Sequence, residues 1–349
     1  MTAWIAGNAG PVWREEWVLG IKPERLFSYH IITTNMPCFE VAKTMKQENK
    51  SIKLFLDSGA FSAKTQGIEI DIDTYIAFIK ENLDVLEVYA NLDVIGDPAA
   101  TLENQKYMEK AGLKPLPTFH KGEPVKFLKY YIDNYDYIAL GGLVGGANSD
   151  RPAVLDHYFS DFICKHDGYP RVKVHGFGMT SLDLIWRYPW YSVDSTSWVM
   201  SSRTGSIMIP QPDGKGGYNY RKKPWLIDTS IGSPTVNSDD FHLDNMSPLV
   251  KKEVMIYLNR HKIPLGVSEI KLVDASFKPD KEAGQTWHGK PRADGKRELQ
   301  LRKEEGVRNH YKWRDYVNVL YYRELEKAIP AYPRKLEIKA AGHGFDLGL

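Results

Sequence analysis

The chain has 349 residues, 42% of them hydrophobic and 26% charged, with a formal net charge of +2, the composition of a globular protein long enough to bury a large core. Its two cysteines, Cys38 and Cys164, form no C-x-x-C pair, which excludes a thiolate zinc site and marks both as buried small hydrophobes. No apolar run is long enough to span a bilayer and no signal peptide is visible, so a reducing cytoplasm is the expected compartment.

Short apolar runs punctuate the first two-thirds of the chain: 26–33, 54–58, 88–94, 114–120, 137–142, 172–178 and 191–197. They are nearly continuous rather than alternating, as strands buried on both faces of a parallel sheet are. Amphipathic segments separate them. Asp73 is placed to cap a helix carrying Ile76, Ile79, Leu83 and Leu86, a second helix runs over 101–110 toward Gly112, and Asp150 and Pro152 open a third. A short helix covers 181–186. Polar or glycine-containing tips end almost every run, where a doubly wound sheet would show one dominant glycine-rich turn. The rhythm therefore predicts an α/β fold, a (β/α)8 TIM barrel over residues 1–235, with its eighth strand near 226–230.

After Trp198 the rhythm breaks. "SIMIPQPDGKGGYNYRKK", about 206–223, predicts a basic hairpin turning at Asp213-Gly214 and Gly216-Gly217. A helix is expected over 247–261, a loop over 278–295 and mostly helix over 297–329, so that 236–349 forms a helical, basic extension. Between Lys278 and Arg314 the chain carries 11 Lys and Arg against 6 Asp and Glu, with Trp287, His288, Tyr311 and Trp313 among them. Such a stretch suits either a phosphate backbone with exposed bases or a solvated face.

The polar strand ends are Asp57, Asp93, His120, Gly141-Gly142, His175-Gly176 and Asp194. In a barrel these tips converge on one mouth. Crowding carboxylates and imidazoles there is electrostatically costly unless a substrate uses them. "LDSGAFS" (56–62), "YANLDVIGDP" (89–98), "LGGLVGG" (140–146), "HGFGM" (175–179) and "SVDSTSWVMSSRTG" (192–205) resemble, in order, the barrel motifs of the tRNA-guanine transglycosylase superfamily. The family's tRNA enzymes carry a Cys3His zinc site, which this sequence lacks the cysteines to build. Its "VDSTSW" form and short basic tail are more similar to the phage-type DpdA branch, the DNA-guanine transglycosylases.

The resemblance implies exchange of guanine in DNA for a 7-deazaguanine such as preQ0, through a covalent glycosyl intermediate and without a cofactor or metal. Asp194 would be the nucleophile; an ungapped register instead sets Ser197 opposite it, but Asp194 is the one acid in that segment. Asp57 would shuttle the proton, with Ser58 and Gly59 shaping its turn. Asp93 would accept from the base's N1–H and amine, His120 would contact the purine carbonyl, and Gly141, Gly142 and Leu143 would present backbone groups. Phe61 and the His175–Gly176–Phe177 strand end would sandwich the ring. Arg203, Lys215, Arg221, Lys222, Lys223, Lys290 and Arg292 would contact phosphates of a flipped or single-stranded substrate. Other readings are a tRNA transglycosylase, a metal-dependent barrel hydrolase using Asp57, His120, His175 and Asp194, and a non-catalytic nucleic-acid-binding barrel.

Overall fold

The computed structural model describes residues 1–7, 24–33, 36–48, 51–143, 151–232 and 241–337. Backbone contacts divide the chain into two units, Met1–Ser195 joined by the segment from Glu326 onward, and Thr196–Leu325. The first boundary thus falls right after the last barrel strand rather than at 235, because the chain beyond it pairs with itself in antiparallel fashion.

The first unit is built on eight parallel strands: β1 (Thr2–Ala6), β2 (Arg25–Ser28), β3 (Leu54–Asp57), β4 (Leu86–Tyr89), β5 (Thr118–His120), β6 (Tyr137–Gly141), β7 (Lys173–Gly176) and β8 (Ser192–Ser195). Their order, β4-β3-β2-β1-β8-β7-β6-β5, is sequential around a ring. The two end strands meet at a parallel bridge between Ala90 and Leu116, where Asn91 N–H donates to Leu116 O (3.0 Å) and Leu116 N–H to Tyr89 O (2.8 Å). The α/β barrel expected from the strand rhythm is therefore present. Its eighth strand is not the 226–230 segment but β1, a five-residue run at the start of the chain. Trp225–Asp228 has the same apolar content, yet it pairs antiparallel with Ser206–Ile209 in the other unit.

Register explains what the barrel encloses. Thr118, Ala139, His175 and Ser192 are successive partners at one level, and Leu26 lies beside Phe55 and Phe55 beside Val88 at another. Side chains alternate across each strand, so Trp4, Ala6, Leu26, Phe55, Ala90, Leu116 and Ala139 fill the interior, while Phe27, Leu54 and Leu56 pack outward among Ile76, Ile79 and Met108. The helix Ile72–Glu81 is capped by Asp71, which accepts from Thr74 N–H at 2.8 Å, and not by Asp73, which accepts from Tyr107 Oη–H at 2.9 Å. Pro98–Lys110 starts a turn earlier than expected because Asp97 accepts from Ala99 and Ala100 N–H and Pro98 takes the first helical position. The third expected helix is Arg151–Tyr158; Asp150 lies outside the described residues. From the returning segment, buried Arg334 donates to the carbonyls of Trp186 (2.6 Å), Ile185 (2.5 Å) and Tyr188, at the end of the helix Leu182–Arg187.

The second unit pairs β9 (Ser206–Ile209) with β12 (Trp225–Asp228), and within that loop β10 (Gln211–Pro212) with β11 (Tyr218–Asn219). The hairpin turns where expected: Asp213 accepts from Lys215 N–H (2.7 Å) and Gly217 N–H (2.9 Å). A three-stranded antiparallel sheet follows, β13 (Val267–Asp274), β15 (Lys296–Glu304) and β14 (Gln285–His288), with β15 in the centre. The expected loop over 278–295 thus contains a strand, and the expected helix over 297–329 is strand as far as Glu304. Only Tyr311–Ala328 is helical there. The Lys, Arg, Glu and Leu content of β15 favours helix locally, and partners on both edges override it. Asn318 lies fully buried, with Met208 N–H donating to its Oδ1 (2.7 Å) and its Nδ2 donating to Trp198 O (2.9 Å) and Ser206 O (3.3 Å). Among the described residues no helix is long and apolar enough to cross a membrane.

Candidate active site

The C-terminal strand ends gather acids and imidazoles in two groups linked by Asp57. Asp57 closes β3 and is half-buried. Gly59 follows with φ of 78°, and a Cβ there would meet His30 Cβ at 2.8 Å. Glycine is therefore required, and the resulting turn aims the Gly59 N–H at Asp57 Oδ2, 3.2 Å away. Burial raises the Asp57 carboxyl, the charges of Asp93 and Asp194 raise it further, and the Gly59 and Ser58 amides offset only part, leaving it at about 8. Asp57 is thus protonated at neutral pH, and both other carboxylates are close enough to act on it.

The first group is a chain of hydrogen bonds. Ser58 Oγ–H donates to Asp93 Oδ1 at 3.0 Å. His120 Nε2 lies 3.0 Å from Asp93 Oδ2 and its Nδ1 3.3 Å from Glu123 Oε1, while Glu123 Oε2 accepts the His120 backbone N–H at 3.0 Å. Burial disfavours a charged imidazole here, but the hydrogen bonds to Asp93 and Glu123 and their charges outweigh it, holding His120 at about 9. Gly141 makes room for this ring: a Cβ there would lie 2.7 Å from His120 Cδ2. Gly142 has φ of 68° and Leu143 is buried, and residues 144–146 of the "LGGLVGG" motif lie outside the described residues. A cleft of about 480 Å3 opens beside Asp93, lined by Ala60, Ala63, Lys64, Leu92 and Val94 among others.

The second group surrounds Asp194, which is 7% exposed on β8. Gly178 N–H donates to Asp194 Oδ1 at 2.6 Å, and His175 Nε2 lies 3.5 Å from the same oxygen. His175 is fully buried, its Nδ1 2.7 Å from Ser192 Oγ, which in turn is 2.7 Å from Tyr137 Oη. Among the described residues nothing hydrogen-bonds to Asp194 Oδ2. Gly176 lets the Trp190 ring approach to 3.0 Å of where a Cβ would be. Half-buried Phe177 packs edge-on against His175, with ring centroids 4.5 Å apart.

The structure redistributes some expected roles. His120 has both ring nitrogens engaged by carboxylates, so it braces Asp93 instead of facing a purine carbonyl. His175 is fully buried, leaving half-buried Phe177 as the more accessible ring of that strand end. Phe61 stands on the helix Ala60–Thr65 with 67% of its surface exposed and makes no ring contact with Phe177. Glu123 was missed; its only sequence signal is an acid three residues after a strand-end histidine. Asp57, His120, His175 and Asp194 do not form a ligand set, and among the described residues no three His, Cys, Asp or Glu side chains are arranged to hold a metal ion.

In the second unit, Ser197 and exposed Arg203 lie on the helix Ser197–Thr204. Lys215, Arg221, Lys222, Lys223 and Lys290 are exposed, and exposed Arg292 is ion-paired with Glu298. The basic stretch is partly neutralised: Glu269 pairs with Lys271 and Lys303, both at 3.3 Å, and Glu305 with Lys312 at 3.1 Å. Trp287 is covered by the Arg297 guanidinium at 4.8 Å.

No protein-family model and no curated protein matches the chain. Among solved structures, a protein from Aquifex aeolicus VF5 is similar at 11% identity and a TM-score of 0.39, over 57% of this chain and 84% of that one. The tryptophan synthase alpha chain from Legionella pneumophila subsp. pneumophila is similar at 8% identity and a TM-score of 0.38, over 56% of this chain and 79% of that one.

Proposed function

We propose that this protein is a transglycosylase that exchanges guanine in DNA for a 7-deazaguanine base such as preQ0. One observation carries the reading: a carboxyl oxygen with no hydrogen-bond partner among the described residues, Asp194 Oδ2, occupies the same strand-end cluster as a carboxyl held neutral near pH 7, Asp57. A carboxyl held neutral can serve as general acid, and an aspartate oxygen in the same cluster as nucleophile.

Asp194 Oδ2 attacks C1′ as the C1′–N9 bond of the target nucleotide breaks. The departing guanine takes the Asp57 proton, a transfer worth about 10²–10⁴-fold. The incoming base returns its N9 proton to the Asp57 carboxylate, its nitrogen attacks C1′, and the ester bond to Asp194 breaks. Two inversions retain the sugar configuration and no strand is cut. Asp93 accepts hydrogen bonds from the base edge, and the Gly141–Leu143 backbone contacts it. Flipping a base from a duplex costs about a few kcal/mol, a cost that contacts between basic side chains and the DNA phosphates offset.

The test is incubation of the protein with labelled preQ0 and either DNA or tRNA, followed by nucleoside mass spectrometry. Label in DNA, lost in Asp194→Ala protein that still melts cooperatively, supports the proposal. Label in tRNA alone selects the RNA reading, and label in neither removes the transglycosylase.

A further inference from the structure

We propose that Glu123 and His120 are a positioning pair that fixes the Asp93 carboxylate for two adjacent N–H donors, so that Glu123, which touches no substrate, sets the preference for a base edge bearing both a ring N–H and an exocyclic amine. The proposal rests on the purine-binding reading above and adds residues that do not act on the base directly.

Geometry carries it. A carboxylate has about four lone-pair directions. Ser58 uses one on Asp93 Oδ1 and His120 Nε2 one on Oδ2. Among the described residues nothing else takes either oxygen, which leaves one direction on each, a fork that matches two parallel N–H groups. The fork is useful only if the carboxylate cannot turn, and every link behind it is held twice. His120 is gripped by Asp93 and Glu123 through its two ring nitrogens, and its ring lies against the space that a Cβ at Gly141 would fill. Glu123 is itself fixed, because its second oxygen takes the His120 backbone N–H. The chain ties the ends of β3, β4 and β5 together. Among the described residues the charged groups that act on His120 are Asp93 and Glu123, and Asp57 is neutral at pH 7.

Glu123→Gln tests the pairing. A glutamine offers one acceptor and one donor where the carboxylate offers two acceptors. Its oxygen keeps the backbone N–H, its amine faces Nδ1, and His120 must become neutral while Nε2–H still reaches Asp93. Imidazole NMR of the full chain without ligand is expected to show the His120 midpoint falling by about 1–3 units in the variant. Calorimetry with guanine and with hypoxanthine, which lacks the amine, is expected to show a guanine preference that drops about 10-fold in Glu123→Gln. His120→Gln, which keeps a donor toward Asp93, should retain more of that preference than His120→Ala. An unchanged midpoint in Glu123→Gln, or an unchanged guanine preference, overturns the proposal. Wild-type protein that binds neither base overturns the purine reading and the specificity role with it, while the ligand-free NMR judges the Glu123–His120 pairing separately.

Discussion

Replacing Asp57 by Asn should make the barrel more stable at pH 8 and leave it unchanged at pH 4. The native carboxyl is raised from 3.8 to about 8, first by burial and then by Asp93 and Asp194. Between those values the folded protein holds a proton that the unfolded chain has lost. Stability therefore falls as pH rises from about 4 to about 8. A shift of about 4 units corresponds to a ceiling of about 5–6 kcal/mol. The residue is half-buried, so water screens part of that cost and about 2–3 kcal/mol is expected. Asn stays neutral throughout and its Oδ1 can still accept the Gly59 N–H. Urea denaturation between pH 4 and 8.5, with hydrogen exchange of β3 and β8 amides isolating the barrel, measures the difference. A difference that does not change with pH, or an Asn variant less stable at pH 8, refutes the electrostatic account of this site.

Base exchange should decline as pH rises through about 8, where Asp57 loses the proton that the leaving base needs, and a steady-state pH profile reads this directly. Gly141→Ala places a methyl 2.7 Å from His120 Cδ2 and should push the ring off Asp93; we expect about 1–3 kcal/mol lost by denaturation together with weaker guanine binding by calorimetry. Asn318→Ala strands the Met208 N–H and two carbonyls in the second unit and should cost about 2–4 kcal/mol, seen as a lowered melting transition. If Lys222 contacts a phosphate, Lys222→Ala should reduce the slope of log affinity for DNA against log salt by about 1, whatever the DNA sequence.

The barrel was legible because buried parallel strands leave continuous apolar runs, and the strand-end acids were legible because such runs seldom finish in Asp. What stayed hidden depended on partners distant in sequence. "TAWIA" is as short as many loop fragments, and only its pairing with β2 and β8 makes it β1. Trp225–Asp228 carries the composition of a barrel strand, and composition does not report the direction of its neighbour. Lys296–Glu304 reads as helix until β13 and β14 flank it. In the site, residue type put His120 at a strand end but did not show that carboxylates meet both its ring nitrogens, one of them Glu123 from across a tight turn. Phe61 met the chemical requirement for a stacking ring, and its exposure on a short helix was not legible from residue type.

Arg334 has a consequence for how the molecule is made. Its guanidinium closes carbonyls that belong to residues synthesised almost 150 positions earlier, after the whole of Thr196–Leu325 has been emitted. A nascent chain that stops short of this arginine should leave the ribosome with the end of the Leu182–Arg187 helix unsealed, immediately before the strand that carries Asp194. Shortening the protein from that side is thus expected to damage the chemistry at the opposite end of β8 before it damages the second unit.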